Sequence, residues 1–179
     1  MIKLPKEIEH MIKTIETAGF EAYAVGGCTR DSILGRHPKD WDLTTNATGE
    51  ILKTLFPEAV IINKKLGVMR VTVGGITADL AAYRIDGTYT DYRRPDTVSF
   101  TNELEEDLKR RDFTMNAIAV SPSKGMADPF HGEQDIIDKL NRGIGQPRKR
   151  FEEDALRILR GIRFAAQLGF EIEADTFAA

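Results

Sequence analysis

The sequence predicts an α+β fold in which a head of mixed strands and helices is followed by an all-helical segment. Three observations lead there. The runs "VMRVTV" and "ITADLAAYR" flank Gly74-Gly75, the pattern of a β-hairpin closed by a two-glycine turn. Apolar residues at Ile8, Met11, Ile12 and Ile15 repeat with helical spacing, so helices are interleaved with strands. After Gly145 and Pro147 the character changes, and Arg148 to Gly169 reads as one long amphipathic helix. A boundary near 146 therefore divides a head, residues 1–145, from a helical part, residues 146–179.

Taken in order, the first helix opens at Pro5, a residue suited to a first turn, and stops at Ala18-Gly19. "EAYAV" is a short buried strand that runs into Gly26-Gly27, and "CTRDSILG" is a short helix closed by Gly35. "DWDLTT" is the next strand; "TGEILKTLFP" is a helix with Thr48 as N-cap and Pro57 as stop. The hairpin follows. Residues 84–102, rich in turn formers and charge without a sustained period, are expected to form a mobile loop. "ELEEDLKRR" is a short helix, "FTMNAIAV" a strand, and "DPFHGEQDIIDKL" a turn into a further helix.

Composition narrows the functional classes. With 179 residues, 41% hydrophobic and 30% charged, the chain can bury a sizeable core and is not of a disordered type. A single cysteine excludes an internal disulfide framework and favours a reducing, cytoplasmic setting. The opening residues lack the uninterrupted apolar core of a secretion signal, and no stretch approaches membrane-spanning length. Net charge is −3, which argues against a surface coated for non-specific nucleic-acid binding, yet Arg142 to Arg163 holds seven Arg and Lys against three acids. That segment could face phosphates or be a solvated helix face.

The stretch "HPKDWDLTT" carries the first chemical signal. Residues two apart on a strand share a face, so Asp40 and Asp42 stand together while Trp41 points to the opposite side. Adjacent carboxylates repel unless a cation intervenes, and magnesium typically takes one or two carboxylates and fills its other positions with water and substrate phosphates. The bland alternative is an exposed strand edge. Upstream, the Gly26-Gly27 turn lets backbone N–H groups approach phosphates without an intervening Cβ, with Arg30 just beyond; an ordinary tight turn is the competing account. In "ITADLAAY" the even positions from Ile76 to Ala82 are apolar, which leaves Asp79 on the other face, where it either joins the carboxylate pair or merely faces water.

Five ordered motifs, "VGGCTRD", "KDWDL", "RRDFTMNAIA", "DPFHG" and "FEEDALRILRGIRFA", together resemble the N-terminal catalytic region of class II tRNA nucleotidyltransferases. These are the CCA-adding enzymes and their relatives the bacterial poly(A) polymerases. The resemblance extends over almost the whole chain. It implies a nucleotidyltransferase head of the polymerase-β-like kind, a small mixed sheet with flanking helices, followed by the start of an all-helical neck. It further implies that Gly27 and Arg30 hold the triphosphate, that Asp40 and Asp42 bind Mg2+ and are the catalytic pair, and that Arg111 belongs to the nucleotide site with Asp112 near the sugar. Asp154 and Arg157, from E-D-x-x-R, would act as an amino-acid template for the incoming base.

The template is chemically intelligible. Cytosine and adenine offer an exocyclic amine that a carboxylate accepts, whereas uracil and guanine present a carbonyl oxygen there, and acceptor facing acceptor is rejected. On one continuous helix, Phe151, Ala155, Ile158, Leu159, Ile162, Ala165 and Ala166 would form one apolar face. Asp154 borders it, and Arg157, Arg160 and Arg163 step around the polar side, with Arg163 directed well away from Asp154. Arg160 and Arg163 are expected to hold phosphates or shape the site, against a solvated basic face. For Arg157 the competing account is an intrahelical pair with Glu153.

Two departures from the family pattern stand out. The strand "DLAAYR" keeps the charge of Asp79 but has Ala81 and Ala82 where relatives often carry hydroxyls, and the family's neck continues into helical body and tail domains that hold the tRNA acceptor arm. The chain is accordingly expected to be a catalytic-core fragment. The activity implied is magnesium-dependent, template-independent transfer of CMP and AMP from CTP and ATP to the 3′ end of tRNA, without membrane association or an obligate protein partner. The alternatives are an A-adding enzyme or poly(A) polymerase, or a nucleotide-binding module with little turnover. Cys28 is expected to be a small buried residue.

Overall fold

A computed structural model describes residues 2–179. The chain runs α1 (Lys6–Thr17), β1 (Ala22–Val25), α2 (Gly27–Ile33), β2 (Trp41–Thr45), α3 (Gly49–Leu55), β3 (Val60–Asn63), β4 (Val68–Val73) and β5 (Ile76–Ala82). It continues through β6 (Arg84–Asp86), β7 (Val98–Phe100), α4 (Leu104–Lys109), a 3-10 turn (Thr114–Asn116), β8 (Ala119–Ser121) and β9 (Gly125–Ala127). The last elements are α5 (Gly132–Ile137), β10 (Leu140–Asn141), α6 (Pro147–Glu153), α7 (Leu156–Leu168), β11 (Glu171–Ile172) and α8 (Ala174–Ala178).

The main sheet has seven strands in the order β3-β4-β5-β2-β1-β8-β9. Only β2 and β5 pair in parallel, with Asp42 opposite Asp79 in the register. The α+β expectation and its mixed sheet therefore hold. Period-two alternation sorts the two faces. Ala22, Ala24, Trp41, Leu43, Ala78 and Leu80 join the α1 residues Ile8, Met11, Ile12 and Ile15 in one buried cluster, and Leu52 of α3 packs with them. Trp41 is thus the expected anchor on the packed side. Tyr23 and Val25 turn to the opposite face, where they meet Leu108 of α4. A third cluster, including Phe113, Ile118, Phe151 and Phe164, joins the C-terminal helices to the head.

Three expectations are corrected. Residues 84–102 are not irregular throughout: β6 and β7 pair antiparallel, from Arg84 opposite Phe100 to Asp86 opposite Val98. Tertiary partners supply that order, since the Arg84 N–H donates to the buried Asp107 and Asp96 accepts from Thr88 and Thr90. "FTMNAIAV" is a 3-10 turn followed by β8; the Thr114 hydroxyl and Asn116 amide donate to Asp135 and Asp112 respectively, partners the local pattern does not reveal.

The single helix from 148 to 169 is two helices. Asp154 adopts an extended conformation, φ −139° and ψ 98°. Its carboxylate accepts from the N–H of Leu156 at 3.1 Å, while the N–H of Ala155 donates to the carbonyl of Tyr92 at 2.9 Å. A short acidic side chain that bonds the backbone two residues on competes with helix continuation. The break redirects α7, so its buried residues are Arg157, Gly161 and Phe164. The expected apolar face is turned outward, with Ile158, Leu159 and Ile162 exposed. The parallel pair β10–β11 ties Leu140 and Asn141 to the chain beyond α7. No described helix is long and apolar enough to cross a membrane.

Candidate functional site

A cleft of roughly 1200 Å³ opens where the free face of the sheet meets α2 and α7. Its wall includes Gly27, Arg30, Asp40, Asp42, Arg111, Asp112, Asp154, Arg157, Arg160 and Arg163, so these candidate site residues line one cavity, whereas Asp79 is not among its lining residues. That includes Arg163, which the continuous-helix geometry directs away from Asp154; the break at Asp154 invalidates that angular count.

The floor is built by β1, β2 and β5. Asp42 projects from β2 away from α1, and Asp40 lies just before the strand begins at Trp41. Asp79, next to Asp42 in the register, is held by Arg70, whose Nε and Nη2 donate to its two carboxylate oxygens at 2.7 and 2.9 Å. Asp79 therefore has a cationic partner of its own beside the pair, although its charge still acts on Asp42. Asp42 is open to solvent by area, yet the walls of the cleft displace bulk water around it. This loss of hydration pushes its carboxyl up from the ordinary value; Arg111 opposes the rise, and Asp79 and Asp40 add to it. No described group of three His, Cys, Asp or Glu is arranged to hold a metal ion. The repulsion between Asp40 and Asp42, only partly offset by Arg111 and Arg160, nevertheless fits one divalent magnesium, which needs no more than two carboxylates from the protein.

The turn after β1 supplies the next wall. Gly26 has φ 88°, a left-handed conformation in which a side chain would be strained, and a Cβ there would sit 3.5 Å from Arg111 Nη1 and 3.6 Å from Asp42 Oδ2. Glycine thus brings backbone, cation and carboxylate together. Cys28, at 2% exposure, is the expected small buried residue, with its thiol donating to the Val25 carbonyl and pushed up to about 11 by burial. Arg30 is buried as well; its Nη1 donates to Asn116 Oδ1 at 2.7 Å and its Nη2 to Asp31 at 2.7 Å.

Arg111 depends on a residue that the sequence does not single out. Asp107, fully buried within α4, accepts from Arg110 at 2.7 Å, Arg111 at 3.3 Å and Thr44 at 3.0 Å. Burial alone would raise its carboxyl, but the two guanidiniums outweigh that and hold it below the ordinary value. The only signal in the sequence is its place three and four residues before an Arg-Arg pair. Arg111 Nε is buried without a hydrogen-bond partner among the described residues, a donor in excess of the acceptors the protein provides.

The far wall comes from α6 and α7. Asp154 pairs with Arg93 from the loop between β6 and β7, at 3.1 Å. Arg157 pairs with Glu153 at 3.1 Å, the partner anticipated from spacing but reached across the α6–α7 junction rather than along one helix, and its Nη2 also donates to the Arg110 carbonyl at 2.9 Å. Asp112 has both oxygens engaged: Oδ1 accepts from the Phe113 N–H and from Asn116, and Oδ2 accepts from Arg160 at 2.6 Å. Arg93 and Asn116 were invisible from the sequence because no period or motif places either beside its partner.

A family model described as "Poly A polymerase head domain" matches residues 22–142. The CCA-adding enzyme of Streptococcus uberis is 46% identical over 182 residues, covering 100% of this chain and 45% of that protein. That of Lactobacillus helveticus is 44% identical over 182 residues, covering 98% of this chain and 46% of the relative. The chain thus spans about half the length of the curated relatives it matches. Among solved structures, the Bacillus stearothermophilus CCA-adding enzyme in complex with CTP superposes with a TM-score of 0.88 at 39% identity, covering 96% of this chain and 41% of that one. The Thermotoga maritima CCA-adding enzyme complexed with tRNA gives a TM-score of 0.76 at 26% identity, with 99% and 42% covered.

Proposed function

The chain belongs to the poly A polymerase head domain family, and from that premise we propose that it is the catalytic part of a cytoplasmic CCA-adding tRNA nucleotidyltransferase. It would transfer CMP and AMP from CTP and ATP to a tRNA 3′ end and release pyrophosphate. Residues 1–145 would be the head and residues 146–179 the beginning of a helical neck. The observation that carries this reading is the convergence of Asp40, Asp42, Arg30, Arg111, Asp154 and Arg157 on one cleft. The relatives named CCA-adding enzyme, including one solved with CTP and one with tRNA, support the substrate class.

The residues divide the work. Asp40 and Asp42 would hold Mg2+, which when bound lowers the pKa of the attacking 3′-hydroxyl and offsets charge on the phosphates. Gly26 and Gly27 keep the backbone open to the triphosphate; Arg30, Arg111, Arg160 and Arg163 supply fixed positive charge along it and stabilise the departing pyrophosphate. Asp154 would accept from the exocyclic amine of cytosine or adenine, and Arg157 would donate to the ring edge. For Asp154 this requires the Arg93 pair to share its carboxylate with the base.

Two measurements test the reading. The Asp40→Ala, Asp42→Ala variant is expected to lose CMP and AMP incorporation into tRNA that ends before CCA; transfer at the normal rate overturns the mechanism. Calorimetric titration is expected to show binding of CTP and ATP but not of UTP or GTP, and equal binding of all four overturns the template.

A further inference from the structure

The phosphate-facing wall of the cleft contains an aromatic ring among its arginines. Phe164 is 5% exposed, and its ring meets that of the fully buried Phe113 edge-on, with centroids 5.9 Å apart and planes at 89°. Gly161 permits this closeness, since a Cβ there would lie 3.1 Å from Phe113 Cζ. The ring is therefore fixed from behind. Over the faces of the same ring, the guanidinium carbons of Arg30, Arg160 and Arg163 lie 5.0, 5.1 and 4.8 Å from its centroid.

Three cations gathered around one point repel each other, and the available acids do not account for all of them. Asp31, Arg30, Asn116, Asp112 and Arg160 form a continuous hydrogen-bonded chain beside the ring. This chain contains two carboxylates and two of the guanidiniums. Arg163 has no ion pair or side-chain hydrogen bond among the described residues, and the Phe164 ring lies against its guanidinium. An aromatic face attracts a guanidinium through its quadrupole, an attraction that an aliphatic side chain of similar volume lacks.

We propose that Phe164 is a positioning residue of the triphosphate site, its π system gathering Arg30, Arg160 and Arg163 into one preassembled cradle. The proposal rests on the nucleotide-transfer reading above. Preassembly matters because a polyphosphate that finds its donors already clustered does not have to draw mutually repelling side chains together on binding. Phe164 also belongs to a core cluster, so packing must be separated from cation holding.

Titration with CTP and with inorganic tripolyphosphate, both without magnesium, makes the separation. Phe164→Leu, shown by its melting curve to be folded, is expected to bind both on the order of tenfold more weakly, while Phe164→Tyr, which keeps the ring, stays near wild type. Arg163→Ala is expected to weaken binding in the wild type and to cost much less in the Phe164→Leu background. Phe164→Met serves the same comparison if the leucine variant does not fold. Equal losses in the leucine and tyrosine variants, or an Arg163→Ala effect that is the same in both backgrounds, overturn the positioning role. Wild-type protein that binds CTP neither without magnesium nor with it overturns the nucleotide reading itself, whereas wild-type binding with an unaltered Phe164→Leu overturns only the role of the ring.

Discussion

Asp107 shows at the residue scale how a buried charge can serve a site it does not touch. Its carboxylate lies under the sheet, holding Arg110 and Arg111 and accepting from Thr44 and the Arg84 backbone. Removing one partner of a buried, hydrogen-bonded ion pair costs about 3–5 kcal/mol, because the other charge is left uncompensated. Asp107→Asn is accordingly expected to destabilise the fold by about 3 kcal/mol in urea unfolding at neutral pH. The pH dependence follows from the direction of the shift. The folded-state value is depressed, so the stabilisation is present above the unfolded value of about 3.9 and is lost as pH falls through the lower, folded one. Stability curves of the wild type and Asp107→Asn are therefore expected to converge on acidification below about pH 4; parallel curves would contradict the assignment.

At the scale of elements, the site depends on how helices approach the turns that carry its residues. The first residue of α5, Gly132, packs directly on the 3-10 turn, and a Cβ there would overlap the backbone carbonyl of Thr114. Backbone cannot swing aside as a flexible side chain does. Gly132→Ala is expected to lower stability by about 1–3 kcal/mol and to weaken CTP binding, because Asn116 in the same turn orients Arg30 and Asp112. Melting temperature and CTP affinity measured together check this, and an unchanged melting temperature would show that α5 has room to move. The junction of α6 and α7 has a similar logic. Asp154 ends one helix and accepts from the N–H of Leu156, the first residue of the next, and its carboxylate also meets Arg93 at the cleft.

Across the whole molecule, charge is distributed against its average. The net charge of −3 gives no attraction for nucleotides, yet the cleft gathers Arg30, Arg111, Arg157, Arg160 and Arg163 on its walls. Local fields of this kind act over a Debye length, about 8 Å at 0.15 M salt and about 3 Å at 1 M. Affinity for CTP is thus expected to fall steeply as salt rises from 0.05 to ~0.5 M, while the melting temperature of the free protein changes little. Salt-independent CTP binding would remove the arginine wall from the account. The exposed Ile158, Leu159 and Ile162 form an apolar face on the outside of α7, opposite this wall.

The sequence by itself determined the class of the fold, the hairpin of β4 and β5, the buried stripe of α1 and a set of charged residues that line one cleft. Those features are local: they depend on a period of two or 3.6 residues, on glycine where the backbone requires it, or on motifs whose spacing is written in the chain. Tertiary structure decided which charges neutralise which. Arg70 holding Asp79, Arg93 against Asp154, Thr44 on Asp107 and Asn116 against Arg30 are pairings between distant segments or facing strands, and no residue pattern specifies them. It also broke the helix that periodicity predicts, because a backbone carbonyl from Tyr92 and the Asp154 side chain satisfied N–H groups at the junction more effectively than another helical turn. That one break turned the arginines of α7 inward and its leucine and isoleucines outward, since periodicity records which residues share a face but not what that face meets.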